Sequence, residues 1–189
     1  MKLIYKGKFN GDPASIPHGE HKPDAVPFRE IQNFKTLSLV MNVAAIVLLV
    51  PLFALLFLRG GGKAYSFLGC LLALLTLIPH EFLHAICFRE TVYLYRGGGL
   101  LFVTGPEDMS KLRFVFLSLL PNLVFGFVPF VLFLIAPQWS IFGSMGALCI
   151  CMGVADYYNV INALTQMPKG ARTYIYGMNS YWYLPDNTK

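Results

Sequence analysis

Four long apolar segments dominate the pattern of hydrophobic and polar positions along the chain. They cover residues 36–58, 64–88, 112–135 and 140–164, with short polar or glycine-rich connectors before the second and fourth. Each is long enough to cross a hydrocarbon core, which needs about 20 helical residues. We therefore predict an all-α membrane protein whose core, residues 36–164, is a bundle of four transmembrane helices.

The remaining segments carry shorter, β-prone patterns. Residues 91–96 and 100–104 flank a run of three glycines, which predicts a small cytosolic β-hairpin over residues 91–104, between helices two and three. The polar, proline-broken arm 1–35 begins with a possible short strand at residues 2–9. The tail 165–189 is rich in tyrosine and tryptophan around a Gly-Met-Asn-Ser turn, which favours an interfacial hairpin.

Composition agrees with a membrane protein and excludes some alternatives. The chain is 56% hydrophobic and only 13% charged, with a mean hydropathy of +0.56. Its net charge of +5 does not indicate nucleic-acid binding, because the basic residues flank the apolar spans. Of the 15 Lys and Arg residues, all but Arg59 and Lys63 fall on one side of the predicted spans. This bias predicts a multi-pass protein of the plasma membrane with both termini in the cytoplasm.

The second apolar span contains an HExxH motif, His80-Glu81-Phe82-Leu83-His84. On a helix, His80 and His84 stand one turn apart on one face and can hold one metal ion. Glu81 is then placed to take a proton from metal-bound water, which is the chemistry of a zinc hydrolase. The alternative is a group of buried polar residues satisfied by the backbone and by one another.

Asp156 is the other acidic residue buried in a span. Counted from the cytosolic ends of their spans, Asp156 and the two histidines lie about 6 to 12 Å from one membrane face, so they can meet at one depth. Two imidazoles and one carboxylate form a three-ligand zinc site, and Glu81 with Asp156 balances the charge of the ion. The alternative for Asp156 is pairing with an asparagine or a hydroxyl.

Weaker signals surround this site. Pro79 has no N–H for the carbonyl of Leu75, so we expect the helix to be weakened just before the motif. Asn122 is a candidate for a substrate or oxyanion hydrogen bond, and Asn159 is a candidate for orienting a ligand. Interhelical hydrogen bonding is the alternative for both asparagines.

The hairpin begins immediately after the motif helix, and it suggests how a substrate is held. A free strand edge can hold a peptide extended by main-chain hydrogen bonds. The alternative is a hairpin that only stabilises the fold at the membrane interface.

The chain resembles the putative zincin peptidase family of small bacterial membrane proteins. The resemblance rests on the HExxH motif, Asp156 in a late span, the glycine-rich hairpin between them, and the Pro-Lys-Gly and Tyr-Trp-Tyr runs of the tail. More distantly, the chain resembles the site-2 proteases. The resemblance implies a metalloprotease with His80, His84 and Asp156 as zinc ligands and Glu81 as general base. Site-2 proteases usually have Leu-Asp-Gly at the third ligand, whereas this chain has Ala155-Asp156-Tyr157, which favours the smaller family.

The sequence therefore predicts a zinc-dependent, membrane-embedded metalloprotease that acts on membrane or membrane-proximal peptide substrates. The expected partners are the substrate and the lipid bilayer, and no binding of nucleic acid is expected. A non-catalytic metal-binding scaffold or regulator is the alternative. A transporter is a weaker third option, because the first and third spans carry few polar residues. The sequence does not indicate an oligomeric state.

Overall fold

Seven α-helices form the larger part of the fold in the computed structural model, which describes residues 1–97 and 100–185. In chain order the helices are α1 (Phe34–Gly60), α2 (Phe67–Leu75), α3 (Leu77–Ile86), α4 (Lys111–Asn122), α5 (Val128–Ile135), α6 (Ser140–Met152) and α7 (Val154–Gln166). A π-helical segment, Leu123–Phe127, joins α4 to α5, so the apolar helical stretch Lys111–Ile135 is continuous.

Three helical stretches of the described chain are long and apolar enough to cross a membrane: Lys35–Ala64, Phe67–Ala85 and Lys111–Ile135. Helices α6 and α7 add a fourth if the pair is taken as one broken span. Only 11% of the most apolar window of the first stretch is buried, so its surface suits a lipid environment. The fold is thus compatible with a membrane protein, and the four-helix bundle stays a prediction.

Within residues 1–97 and 100–185, seven β-strands form two sheets, so the predicted all-α class with one small hairpin is corrected: the fold contains helices and two β-sheets. Sheet A has the order β1-β3-β4, and sheet B has the order β2-β7-β6-β5. The strands are β1 (Lys2–Lys8), β2 (Val26–Pro27), β3 (Thr91–Gly97), β4 (Leu100–Thr104), β5 (Met109–Ser110), β6 (Arg172–Tyr176) and β7 (Asn179–Tyr183).

The predicted hairpin over residues 91–104 is confirmed as the antiparallel pair β3–β4, in which Leu94 faces Val103. Its turn residues 98 and 99 lie outside the described residues. The tail hairpin is confirmed as β6–β7, and the strand at residues 2–9 is confirmed as β1. Strand β1 pairs in parallel with β3. Local periodicity carries no information about that distant pairing, so the sequence indicated a hairpin where a three-stranded sheet forms.

Two of the predicted spans, 64–88 and 140–164, contain a break between two helices. The second span breaks at Thr76, between α2 and α3, three residues before Pro79, as the missing N–H of the proline predicts. The fourth span breaks at Gly153, and α6 and α7 meet at an angle of 51°.

The chain forms two compact units. Unit 1 comprises Met1–Gln32, Glu81–Ser118 and Asn159–Lys189, and unit 2 comprises Asn33–His80 and Leu119–Tyr158. The core of unit 2 is formed by buried side chains of helices α1, α5 and α6 together with Ala64. They are Leu52, Leu56, Ala64, Phe130, Phe133, Ala147, Ile150 and Cys151.

Unit 1 contains both sheets and two smaller cores. One packs the end of α3 against β3 and α4, and the other packs α7 against the arm and the tail. Their buried members are Ala85, Phe88, Val92, Met109 and Leu117 in the first, and Phe28, Ala163, Met167 and Ala171 in the second.

A polar clamp within unit 1 fixes the end of α3. The guanidinium of Arg113 donates from Nε and Nη2 to the carbonyl of Cys87, at 2.9 and 2.6 Å, and from Nη1 to Glu107 at 2.5 Å. Glu107 also accepts the backbone N–H groups of Arg89 and Glu90. Burial opposes ionisation of Glu107, but these hydrogen bonds outweigh it and lower its pKa. The residues following the motif helix are therefore anchored to the start of α4.

Candidate metal centre

Helix α3 carries the HExxH residues in a single turn. Because the helix restarts at Leu77, Pro79 falls in its first turn, where a missing N–H costs little. The N–H of His80 donates to the carbonyl of Thr76 at 2.7 Å, so the motif begins on a regular turn. His80 and His84 consequently project from one face of the helix, as predicted.

Asp156 lies beside His80, although 76 positions separate them in the sequence. The distance from Nε2 of His80 to Oδ2 of Asp156 is 3.3 Å, and both side chains are mostly buried. Asp156 occupies the first turn of α7, where the positive end of the helix dipole favours a carboxylate. The break at Gly153 therefore gives the aspartate a helix N-terminus instead of the middle of a span.

His84 is oriented by a backbone carbonyl. Its Nδ1 lies 2.9 Å from the carbonyl oxygen of Leu117 on α4, and the ring is buried. In a regular helix that carbonyl accepts the N–H four residues on, but here that residue is Pro121, which has none. Donation from Nδ1 fixes the tautomer and leaves Nε2 as the lone-pair atom of the ring, the usual arrangement of a metal-binding histidine.

His80, His84 and Asp156 together offer three ligand atoms within 4.8 Å of one another. Two bonds of about 2.0 to 2.1 Å at a tetrahedral angle separate their ligand atoms by about 3.3 Å. The separation of His80 and Asp156 already has that value. Two imidazoles and one carboxylate are also a recurrent ligand set of catalytic zinc, so the residues present fit the ion.

Glu81 lies against the edge of sheet A. One of its carboxylate oxygens, Oε2, accepts the backbone N–H of Val103 at 3.1 Å, within unit 1. That bond holds the carboxylate of Glu81 next to β4, and Glu81 is half-buried rather than solvated. The orientation of the predicted base is thus constrained by a main-chain N–H group.

The two candidate asparagines differ in what surrounds them. Asn122 is 1% exposed and donates from Nδ2 to Oδ2 of Asp156 at 2.7 Å. Its amide N–H therefore points at a candidate ligand. Asp156 thus pairs with an asparagine, which was the alternative considered for it, and also lies close to His80. Asn159 is half-buried on α7, three residues after Asp156, and its role stays a prediction.

Comparison with known proteins bears on this site. A family model described as putative zincin peptidase matches residues 72–172, which is more than half of the chain. The chain belongs to this family. No curated protein and no solved structure matches it significantly. The region matched by the zincin peptidase family includes His80, Glu81, His84 and Asp156. Zinc is the metal implied by the family description and by the ligand set.

Sequence reasoning missed three contributors to this zincin peptidase site. The carbonyl of Leu117 was detectable in principle, because a proline inside a helix releases the carbonyl four residues earlier. The N–H of Val103 required the pairing of β4 to be known, since pairing decides which amides face outward. The position of Gly153 beside Asn122 has no local signal at all.

Proposed function

We propose that the chain is a zinc metalloprotease that hydrolyses peptide bonds of membrane or membrane-proximal substrates. One observation carries the proposal: two histidines of α3 and an aspartate of α7 offer three ligand atoms within 4.8 Å of one another. Membership of the zincin peptidase family supports it. A buried structural network needs no such ligand geometry, whereas a hydrolase does.

His80, His84 and Asp156 would hold the ion. The chemistry that zinc supplies when bound is Lewis-acid activation of water and of the scissile carbonyl. Glu81 accepts a proton from the attacking water and passes it to the leaving amine. Its hydrogen bond from Val103 holds the carboxylate in one orientation, and Leu117 and Asn122 hold the imidazole of His84 and the carboxylate of Asp156.

The edge of β4 supports a place for the substrate. Strand β4 ends sheet A among the described strands, and Val103 directs its N–H away from β3 toward Glu81. In an antiparallel pair, outward and inward N–H groups alternate, so Leu101 also directs its N–H outward. A peptide extended along this edge would lie beside the base, which is the arrangement that hydrolysis of an unfolded segment needs.

We further infer a multi-pass protein of the plasma membrane with both termini in the cytoplasm. The apolar helices and the one-sided distribution of Lys and Arg support this topology. Fusion of a green fluorescent protein and of alkaline phosphatase to the α1–α2 connector and to the tail tests it. Fluorescence at the connector together with phosphatase activity at the tail would overturn the topology.

Substitution of the base tests the function. Glu81→Gln removes the proton acceptor but keeps the size of the side chain, so it should retain about one zinc per chain and lower cleavage by roughly 10²- to 10⁴-fold. Glu90→Gln, an exposed glutamate just after the same helix, is the matched control and should cleave like wild type. Zinc is measured by plasma mass spectrometry, and cleavage with quenched-fluorescence transmembrane peptides in micelles.

Two results separate the alternatives. A Glu81→Gln variant that cleaves at the wild-type rate would remove Glu81 from the mechanism. The second result concerns wild-type protein that binds zinc but cleaves no peptide of a broad panel. If His80→Ala and Asp156→Ala also lose the zinc, this result favours the non-catalytic metal-binding scaffold.

A further inference from the structure

Gly153, at the break between α6 and α7, leaves a space that another side chain occupies. A Cβ at this position would lie 1.7 Å from Oδ1 of Asn122, 2.3 Å from its Cγ and 2.6 Å from its Nδ2. All three distances are far below van der Waals contact, and Gly153 is buried. The amide of Asn122 therefore occupies the place that a side chain would take at residue 153.

The backbone of Gly153 gives no conformational reason for glycine. Its φ of −79° and ψ of 7° are open to any residue. Its N–H donates to the carbonyl of Cys149 at 3.1 Å, and its own carbonyl accepts the N–H of Tyr157 at 3.1 Å. These bonds are available to other residues as well, so only the missing Cβ distinguishes glycine here.

Asn122 uses this space to reach the candidate metal ligand. Its Nδ2 donates to Oδ2 of Asp156, the same oxygen that lies 3.3 Å from Nε2 of His80. Its Oδ1 is buried and has no hydrogen-bond partner in the described part of the chain. A buried carbonyl oxygen without a partner is unfavourable, so Oδ1 does not explain the position of the amide. The hydrogen bond from Nδ2 to Asp156 does.

We propose that Gly153 is a positioning residue for the metal centre, because the absence of its Cβ allows Asn122 to orient the carboxylate of Asp156. The inference rests on the proposed zinc site. It adds that zinc binding requires glycine at residue 153, which itself offers no ligand atom. A methyl group at residue 153 displaces the amide of Asn122, and Asp156 then loses the donor that fixes which oxygen faces His80. All four residues belong to unit 2.

Gly143, a glycine within α6, provides a matched control. A Cβ at Gly143 would lie 2.6 Å from Cγ of Phe133 and 2.8 Å from Cδ2 of Leu56, so it too would be crowded, although less closely than the 1.7 Å approach at Gly153. Those neighbours belong to the apolar core cluster of unit 2, whose members do not include a candidate metal ligand. Gly143→Ala therefore reports the effect of crowding alone.

The test is a double-mutant cycle on metal binding. Zinc affinity is measured by chelator competition for wild type, Gly153→Ala, Asn122→Ala, the double variant and Gly143→Ala, together with the visible absorption of the cobalt(II) forms. Loss of an outer hydrogen bond to a ligand lowers metal affinity roughly 10- to 100-fold, which is the expected effect of Asn122→Ala. Gly153→Ala should lose at least as much and alter the cobalt spectrum.

The double variant decides between positioning and packing. If Asn122 is the reason for glycine, shortening it makes room for the methyl group, and the double variant should match Asn122→Ala within about threefold, a non-additive result. Gly143→Ala should lower thermal stability while its zinc affinity and cobalt spectrum stay unchanged.

Three outcomes overturn the inference. They are wild-type affinity in Gly153→Ala, a double variant much weaker than Asn122→Ala, and a loss of affinity in Gly143→Ala equal to that in Gly153→Ala. If Gly153→Ala alone does not fold, a folded double variant supports the inference and an unfolded one overturns it. Wild-type protein that binds no zinc would overturn the proposed function as well, which distinguishes the two failures.

Discussion

Replacing Pro121 with alanine should stabilise helix α4 and at the same time weaken zinc binding. Proline in a helix interior costs about 3 kcal/mol relative to alanine. The variant should therefore unfold at higher temperature. Its new N–H, however, faces the carbonyl of Leu117, which is the acceptor for Nδ1 of His84 at 2.9 Å.

The size of the loss follows from that one bond. A net hydrogen bond contributes about 0.5 to 1.5 kcal/mol. Because 1.4 kcal/mol corresponds to a tenfold change in affinity, full competition for the carbonyl weakens zinc binding about 2- to 13-fold. The tautomer of His84 should also become mixed, since the donor role of Nδ1 is no longer enforced.

The assay pairs zinc competition with ¹⁵N spectra of labelled histidine, which distinguish the two tautomers. Pro51→Ala is the control, because Pro51 lies inside α1, an apolar helix without a ligand of the site. It should raise stability and leave zinc affinity unchanged. A Pro121→Ala protein that is stabilised but binds zinc with wild-type affinity and tautomer would refute the role of the Leu117 carbonyl.

Three further predictions concern other parts of the molecule. Val103→Pro removes the N–H that Glu81 accepts and should lower cleavage roughly tenfold or more at full zinc content; Val103→Ala keeps the N–H, and an equal loss in both variants would contradict the role of the amide. Removing zinc with a chelator should lower the melting temperature, and zinc at 100 times its dissociation constant should restore about 2.7 kcal/mol; restoration by magnesium alone would argue against this ligand set. The hydrogen bond from Arg172 lowers the pKa of Asp108, so ionised Asp108 stabilises sheet B above the unfolded-state pKa of about 3.9, and this contribution is lost as the pH falls through the lower folded-state value. Hydrogen exchange of β6 at pH 3 and pH 6 should show this dependence in wild type and not in Asp108→Asn; the same dependence in both proteins would exclude Asp108 as its source.

The features that could be predicted from the sequence are encoded locally. Long apolar runs indicate the helices, and the HExxH spacing indicates two candidate ligands and a candidate base, because each pattern lies within a continuous stretch of chain. Asp156 was detectable because a carboxylate inside an apolar span needs a partner. The hairpins were visible from β-prone runs around turn residues, and the structure confirms them.

The features that escaped prediction depend on residues far apart in the chain. Sheet A joins β1 to β3 across about 90 positions, and no local pattern specifies that parallel register. The break at Gly153 has the same character: a glycine in an apolar run is compatible with a continuous helix. The role of Gly153 depends on Asn122, 31 positions earlier, whose amide occupies the space of the missing side chain.

The discontinuity of unit 1 has a consequence for biosynthesis. Its three segments are interleaved with the two segments of unit 2, and strands β6 and β7 belong to the last of them. During synthesis, β1 emerges before β3, and about 80 further residues must be added before its partner strand is available. Sheet B closes only after residue 183 has left the ribosome. Unit 1 therefore becomes complete only after its last segment has been synthesised, and a ribosome stalled within α7 should carry a chain in which β5 lacks β6, its partner strand.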